Sequence, residues 1–257
     1  MISRNIYKRQ KANLGSQPWL TASPTRNVIN ALTADGADAR FVGGCVRDTL
    51  VNRPVKDIDI ATPTEPEAVI KLLERFGIKA VATGISHGTV TAVCKKKSFQ
   101  ITTLRRDEET DGRYAKVAFT DDWAVDAMRR DFTINALSAD PAGDVYDYND
   151  GITDLKHGKV RFIGNAQDRI DEDYLRILRF FRFQGDYGLP PLDNDAIVAS
   201  HSRARKLSAL SGERVRDELL KILLVLNPGD ILRHMQNAGV LDVILPEATN
   251  INRLFHL

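Results

Sequence analysis

Cysteine is scarce: Cys45 and Cys94 are the whole complement of 257 residues. One falls at a predicted helix start and the other in a predicted strand. They suggest neither a disulfide framework nor a zinc site, so a reducing cytoplasm is the default expectation. No run of about eighteen apolar residues occurs, and no spanning helix is expected. The N-terminal stretch lacks a secretory apolar core, although a short mitochondrial transit peptide stays compatible with it. Net charge is only +2, too small to argue for a nucleic-acid partner by itself. Acidic residues are missing before Asp35, whereas Arg4, Lys8, Arg9, Lys11 and Arg26 are present. That start reads either as a basic arm touching a polyanion or as a disordered tail, the tail being favoured. With 43% hydrophobic and 27% charged residues, the remainder suits one large soluble domain or two smaller ones.

The chain is organised around FVGGCVRDTLVNRPVKDIDIAT, residues 41–62. The pattern predicts a strand over Arg40-Phe41-Val42, a turn at Gly43-Gly44, a short helix carrying Arg47 and Asp48, and a second strand over Asp57-Ile58-Asp59-Ile60. Side chains two apart on a strand share a face, so Asp57 and Asp59 project together. Two adjacent carboxylates repel each other, and a hard divalent cation with oxygen ligands removes that repulsion. Glycines let backbone N–H groups approach a phosphate, and a helix start favours negative charge. Either motif alone is more often a solvated strand end or a plain turn and helix start. Together, in this order, they point to metal-assisted phosphoryl or nucleotidyl transfer.

Elsewhere, the spacing of Val28, Ile29 and Leu32 predicts a helix over 25–34, with Ser23 as cap and Pro24 in its first turn. A second helix is expected over 64–76. Strands follow at 78–83, 89–94 and 99–104, with Lys95-Lys96-Lys97-Ser98 as a polar turn, which implies a mixed sheet with helices packed on it. The stretch RRDEETDGRYAK, residues 105–116, is too polar for a core element and reads as a functional lid or a plain solvated loop. In DAMRRDFTINALSAD, the residues Ala124, Ala127, Met128, Ile134 and Leu137 read as one helical face. Arg129, Arg130 and Asp131 lie between them, either as a phosphate fork or as a surface ion-pair cluster. Residues 144–148 suggest a short strand, and Asp150-Gly151 a hinge. Helices are then expected at 166–184, 194–205, 211–225 and 229–238. The predicted organisation is an α/β head, residues 1–150, followed by an all-α neck, residues 151–257. The closing NINRLFHL has no obvious domain end, so a truncated chain or a missing partner domain is expected.

In DRIDEDYLRILRFFRF, Leu175, Leu178 and Phe181 are expected to pack inward. Asp173, Arg176, Arg179 and Arg182 recur every three residues and are expected to share a face. Such a stripe is either a salt-bridged solvent face or a template for a nucleobase. An aspartate accepts from an exocyclic amine, and an arginine donates to an unprotonated ring nitrogen. Adenine and cytosine offer that pair of groups side by side. Guanine and uracil present an N–H there and would be rejected.

With these motifs in order, the chain resembles the class II tRNA nucleotidyltransferase (CCA-adding enzyme) and bacterial poly(A) polymerase family, from about Arg40 to Asp242. GGCVRD with DIDIAT is similar to the family's catalytic motif, RRDFTINAL to its ribose-binding motif, and YDYNDG to its head–neck spring. EDYLRILRFFRF resembles its amino-acid template, and LSGERVRDELLKIL its neck helix-turn element. The resemblance implies that Asp57 and Asp59 hold two magnesium ions. Gly43, Gly44 and Arg47 would line the triphosphate site. Arg130 would bind ribose or phosphate, with Asp131 and Asn135 shaping that motif. Asp173 and Arg176 would pair with the base of CTP or ATP, supported by Arg179 and Arg182. Arg113 would belong to the flexible loop that switches C to A addition, and Glu213 and Arg214 would brace the template helix. The implied partners are a tRNA 3′ end, CTP and ATP. The resemblance also requires the acid pair and the base template to share one cleft.

One position departs from the family. In FQITTLR the family typically carries a glutamate where this chain has Gln100, at what resembles the third carboxylate of the catalytic centre. Gln100 supplies neither charge nor a general base. Three outcomes are therefore weighed: CCA addition, favoured by the polar loop; poly(A) or A-only addition; and an RNA- or nucleotide-binding form impaired in catalysis.

Overall fold

The computed structural model describes residues 12–107 and 117–247. The chain divides into two compact units, Met1–Arg130 with Ile134–Ile152, and Asp131–Thr133 with Thr153–Leu257.

In the first unit, helices α1 (Pro18–Thr21) and α2 (Ser23–Thr33) lead into β1 (Arg40–Val42) and α3 (Gly44–Leu50). Next come β2 (Asp59–Thr62), α4 (Pro66–Arg75), β3 (Lys79–Gly84), β4 (Thr89–Cys94) and β5 (Lys97–Thr103). A separate two-stranded ladder, β6 (Arg105–Asp107) with β7 (Val117–Phe119), precedes α5 (Trp123–Met128), β8 (Ser138–Ala139) and β9 (Val145–Tyr146). The main sheet has seven strands in the order β3-β4-β5-β2-β1-β8-β9. Only β2 and β5 run parallel, so the sheet is mixed, as the strand pattern predicts. Between β4 and β5, Lys95 and Lys96 both take positive φ, the backbone of a tight hairpin turn whose twist matches the strands. Phe41, Ile60, Phe99 and Ile101 are fully buried in the sheet. Helices α2 and α4 set Val28, Ile29, Leu32, Val69, Leu72 and Leu73 into the same core. The Arg40 guanidinium lies 4.1 Å from the Trp123 ring centre and 3.8 Å from that of Tyr146, which ties the start of α5 to the sheet. Asp122 caps α5 by accepting the N–H groups of Ala124 and Val125.

Several sequence expectations change here. Ser23 is the first residue of α2 rather than its cap, and its hydroxyl meets Lys95 Nζ at 2.6 Å. The strand carrying the acids begins at Asp59, not Asp57, because its partner β1 runs out at Val42 before the Gly43 turn. The block 123–139 is not one helix. It ends as α5 at Met128, passes through a 3₁₀ turn at Thr133–Asn135, and becomes β8. Met128 is correspondingly exposed rather than packed. The Asp131 carboxylate accepts the Phe132 N–H, one of the local side-chain bonds that compete with helix. Asp150 does break the chain, with φ of 59°. Asp147 accepts the N–H groups of Asn149, Gly151 and Ile152 around that break.

Beyond Asp150 the regular elements are helices: α6 (Gly151–Lys156), α7 (Ala166–Glu172), α8 (Leu175–Tyr187), α9 (Asn194–Arg203), α10 (Gly212–Ile222), α11 (Pro228–Asn237) and α12 (Leu241–Ile244). In the second unit α8 is central. It packs against α10 and α11, burying Ile177, Leu178, Phe180, Phe181 and Phe183. Phe132, Phe162, Phe180 and Phe183 form a ring cluster with centroids 4.8–6.5 Å apart. At Gly185 an added Cβ would sit 2.8 Å from Val225 Cγ2 and 3.0 Å from Ile231 Cγ1, so only glycine permits this approach. The predicted helix 166–184 is two helices. Asp173 is extended at the break, and its carboxylate accepts the Leu175 N–H, which starts α8 afresh. Among the described residues no helix is long and apolar enough to cross a membrane.

Candidate nucleotidyl-transfer site

The first unit brings two distant stretches together. Gly43 (φ 66°) turns the chain from β1 into α3, and its N–H donates to the Leu137 carbonyl just before β8. An added Cβ at Gly43 would lie 3.6 Å from Arg130 Nη1, within ordinary contact, but the positive φ still disfavours a side chain there. Arg47, on α3 and only 8% exposed, donates from Nη1 to Asn135 Oδ1 at 2.5 Å and from Nε to Asp48 Oδ1 at 3.0 Å. Arg130 Nη2 meets Asp126 Oδ2 at 3.1 Å, and its Nη1 lies 3.5 Å from the Asn135 carbonyl. Gly43, Arg47, Arg130 and Asn135 therefore form one cluster, although 88 residues separate Arg47 from Asn135.

The acids lie beside it. Ile58 and Ile60 are buried while Asp57 is exposed and Asp59 half-buried, the alternation expected of side chains on one face. Burial and the neighbouring Asp57 charge push the Asp59 carboxyl above its ordinary range, against the lowering pull of Arg130. A divalent cation would relieve this electrostatic cost. Gln100 stands in register with Asp59 across the parallel β2–β5 pair. Among the described residues no group of three or more His, Cys, Asp or Glu side chains is placed to hold a metal. Behind the acids, Cys45 is buried with Sγ 3.4 Å from the Val42 carbonyl and 3.8 Å from that of Asp59. Burial pushes its thiol up to about 12. Cys45 is therefore expected to resist a water-soluble alkylating reagent at pH 8 until the protein is unfolded, as read by mass spectrometry of the labelled peptide. Alkylation in the native protein at the rate of a free thiol would contradict this burial.

In the second unit, the predicted stripe is dispersed. Asp173 precedes α8, so it does not share a helical face with the three arginines. It pairs with Arg214 through both carboxylate oxygens, at 3.1 and 2.8 Å, in a partly exposed contact. Arg176 donates to Glu172 Oε2 at 2.6 Å and to the Arg169 carbonyl at 2.9 Å. Arg179 grips Asp131 Oδ2 from Nε and Nη2, at 2.7 and 2.5 Å. Burial alone would lower the Arg179 pKa, but the Asp131 carboxylate, with Glu218 and Asp173, holds it up. Arg182 bonds the buried Glu218. Asp131 thus serves Arg179, whereas Arg130 and Asn135 of the same motif face the glycine turn. Arg113 lies outside the described residues. Glu213 is exposed in the first turn of α10. The buried acids Asp126, Asp154 and Glu218 escaped sequence reasoning. Asp126 had a signal, since Arg129 and Arg130 follow it at helical spacings of three and four. For Glu218 nothing local points to Arg182, which is 36 residues away.

Comparison with known proteins agrees with this architecture. The family model described as "Poly A polymerase head domain" matches residues 39–161, and the one described as "Probable RNA and SrmB- binding site of polymerase A" matches residues 192–251. The chain is 43% identical over 206 residues to the mitochondrial CCA tRNA nucleotidyltransferase 1 of Danio rerio, covering 79% of this chain and 48% of that protein. It is 41% identical over 209 residues to the CCA-adding enzyme of Oceanobacillus iheyensis, covering 80% and 50%. The chain spans about half the length of these curated relatives. Among solved structures, the Bacillus stearothermophilus CCA-adding enzyme in complex with CTP superposes with a TM-score of 0.80 at 33% identity, covering 91% of this chain and 57% of that one. Both family models fall on this chain in the order of its motifs, and the relatives and the solved fold agree with them: the chain belongs to the class II tRNA nucleotidyltransferase and bacterial poly(A) polymerase family.

Proposed function

We propose that this chain carries the nucleotidyl-transfer and nucleotide-selecting parts of a CCA-adding enzyme, using CTP and ATP to extend a tRNA 3′ end. The observation that carries this reading is the convergence of Gly43, Arg47, Arg130 and Asn135 beside Asp57 and Asp59. The relatives' names and the CTP complex of a structural neighbour support the choice of substrates.

Asp57 and Asp59 fit magnesium, because Asp59, a partly buried carboxylate whose charge is costly beside Asp57, makes with it a pair of oxygen ligands suited to a hard cation. Two ions, when bound, would activate the RNA 3′-hydroxyl and stabilise the departing pyrophosphate. Gly43 and Gly44 let the backbone approach the triphosphate, and Arg47 and Arg130 oppose its charge. The RNA 3′-oxygen forms a bond to the α-phosphorus as the bond to pyrophosphate breaks, with no covalent enzyme intermediate. Asp173 would accept from the exocyclic amine of cytosine or adenine, and Arg176 would donate to the adjacent ring nitrogen. The Asp173–Arg214 pair is open to water, so exchanging it for a base costs little. Arg179 and Arg182, anchored on Asp131 and Glu218, would hold the template helix rigid. Two buried thiols suit a reducing compartment, cytoplasm or mitochondrion.

The test is incubation with tRNA lacking CCA, magnesium and each labelled triphosphate separately. Incorporation of CMP and then AMP is the expected result. AMP alone would instead mean A addition or polyadenylation. Nucleotide binding without incorporation would favour the impaired form, the second reading, which rests on Gln100 beside Asp59. Asp173→Ala is expected to weaken discrimination against UTP and GTP by about tenfold, the scale of one lost hydrogen bond to a charged group. Unchanged selectivity in competition assays would reduce this residue to a helix cap.

A further inference from the structure

Asp126 is 3% exposed, and both of its oxygens are engaged. Oδ1 accepts from Arg129 Nε at 2.8 Å and from the Arg105 backbone N–H at 3.3 Å, while Oδ2 accepts from Arg130 Nη2 at 3.1 Å. Burial would raise its pKa, yet Arg130 and Arg129 bring it below the ordinary carboxylate value. A buried ion cluster is a poor way to gain stability, since apolar residues of similar volume often do as well or better. What such a cluster does supply is a fixed geometry. Asp126 holds one end of the Arg130 fork while the Asn135 carbonyl lies near the other, and Arg130 stands against the Gly43 turn. Asn135 in turn accepts from Arg47, so the two arginines assigned to the nucleotide are set by one connected network. Through Arg105, the first residue of β6, the same carboxylate reaches the start of the β6–β7 ladder.

We propose that Asp126 is a positioning residue of the nucleotide site, fixing the pose of Arg130 against the Gly43–Gly44 turn and linking that pose to the base of the β6–β7 ladder. The inference rests on the nucleotidyl-transfer reading, and it assigns Asp126 no contact with substrate. An arginine held at one end presents its remaining donors in a single orientation. Released from Asp126, it would have to be ordered again each time nucleotide binds.

The experiment is equilibrium dialysis of labelled CTP with magnesium against the full chain, with thermal melting by circular dichroism in parallel. Asp126→Asn is expected to raise the Kd for CTP about tenfold while the protein stays folded at the assay temperature. In an Arg130→Ala background the same change is expected to add less than about twofold, because the group it positions is gone. Arg75→Ala, which removes an exposed ion pair with Asp35 instead, serves as the control and is expected to stay within about twofold of the unsubstituted chain. A folded Asp126→Asn protein with unchanged Kd overturns the inference, and so does full additivity with Arg130→Ala. If Asp126→Asn does not fold, Asp126→Glu is read in its place, since it keeps the charge but moves it by one methylene. A several-fold weaker Kd is expected for that variant, and an unchanged one overturns the inference. Failure of the unsubstituted chain to bind CTP would sink the nucleotide reading itself, an outcome distinct from normal binding by the Asp126 variants.

Discussion

Asp59→Asn is expected to lower nucleotidyl transfer by at least about a thousandfold while making the metal-free protein more stable. The two effects have one cause. Asp59 is half-buried, feels the Asp57 charge, and has its carboxyl raised above the ordinary range by both. An acid whose pKa is raised by folding contributes stability below its unfolded value, and that contribution is lost as pH rises through the folded value. Wherever it is ionised, the group therefore works against the metal-free fold. Asparagine keeps the shape and removes the charge, which relieves the cost of burying it and its repulsion with Asp57, together on the order of 1 kcal/mol, and raises Tm by about 2–4 °C. It also removes a proposed metal ligand, and metal-ion chemistry is among the large contributions to transfer at phosphorus. Single-turnover transfer of labelled CMP and a melt in chelator measure the two halves. A variant that loses activity but also melts lower would mean that Asp59 is structurally required and that the cost of its buried charge is not the controlling effect. Asp57→Ala is expected to abolish transfer in the same assay.

Gln100→Glu is expected to raise the turnover number by about a hundredfold, the lower range for adding a positioned general base or an equivalent charge. The register supports the choice of site, because Gln100 pairs with Asp59 across parallel strands and the change adds only a charge next to the acid pair. Without metal the third carboxylate adds repulsion, so the Glu form is expected to melt lower in chelator and to recover with magnesium. An equal or lower rate for the Glu form would show that this position takes no part in catalysis here.

The legible parts of this protein are those with a short sequence period. The strands at 89–94 and 97–103, the helices α2 and α4, and the glycine turn at 43 all follow from apolar spacing and turn chemistry over a few residues. Periodicity misled where side chains bond their own backbone. Asp131 and Asp173 each interrupt an apolar repeat of helical spacing by capturing a nearby N–H, so one predicted helix became a helix, a turn and a strand, and another became two helices. The regular spacing of Asp173, Arg176, Arg179 and Arg182 was visible, but it did not place Asp173 on the face of the three arginines.

By itself, the order of residues determined the family and the mixed sheet with helices after it, and it pointed to the acid pair, because these depend on local pattern and on motif order. Tertiary structure alone decided the partners. It set Arg47 on Asn135, Gln100 beside Asp59, Arg179 on Asp131, and Arg182 on Glu218. Those pairings join residues 36 to 88 positions apart, and no local propensity encodes a contact that exists only once the sheet and the helices have packed.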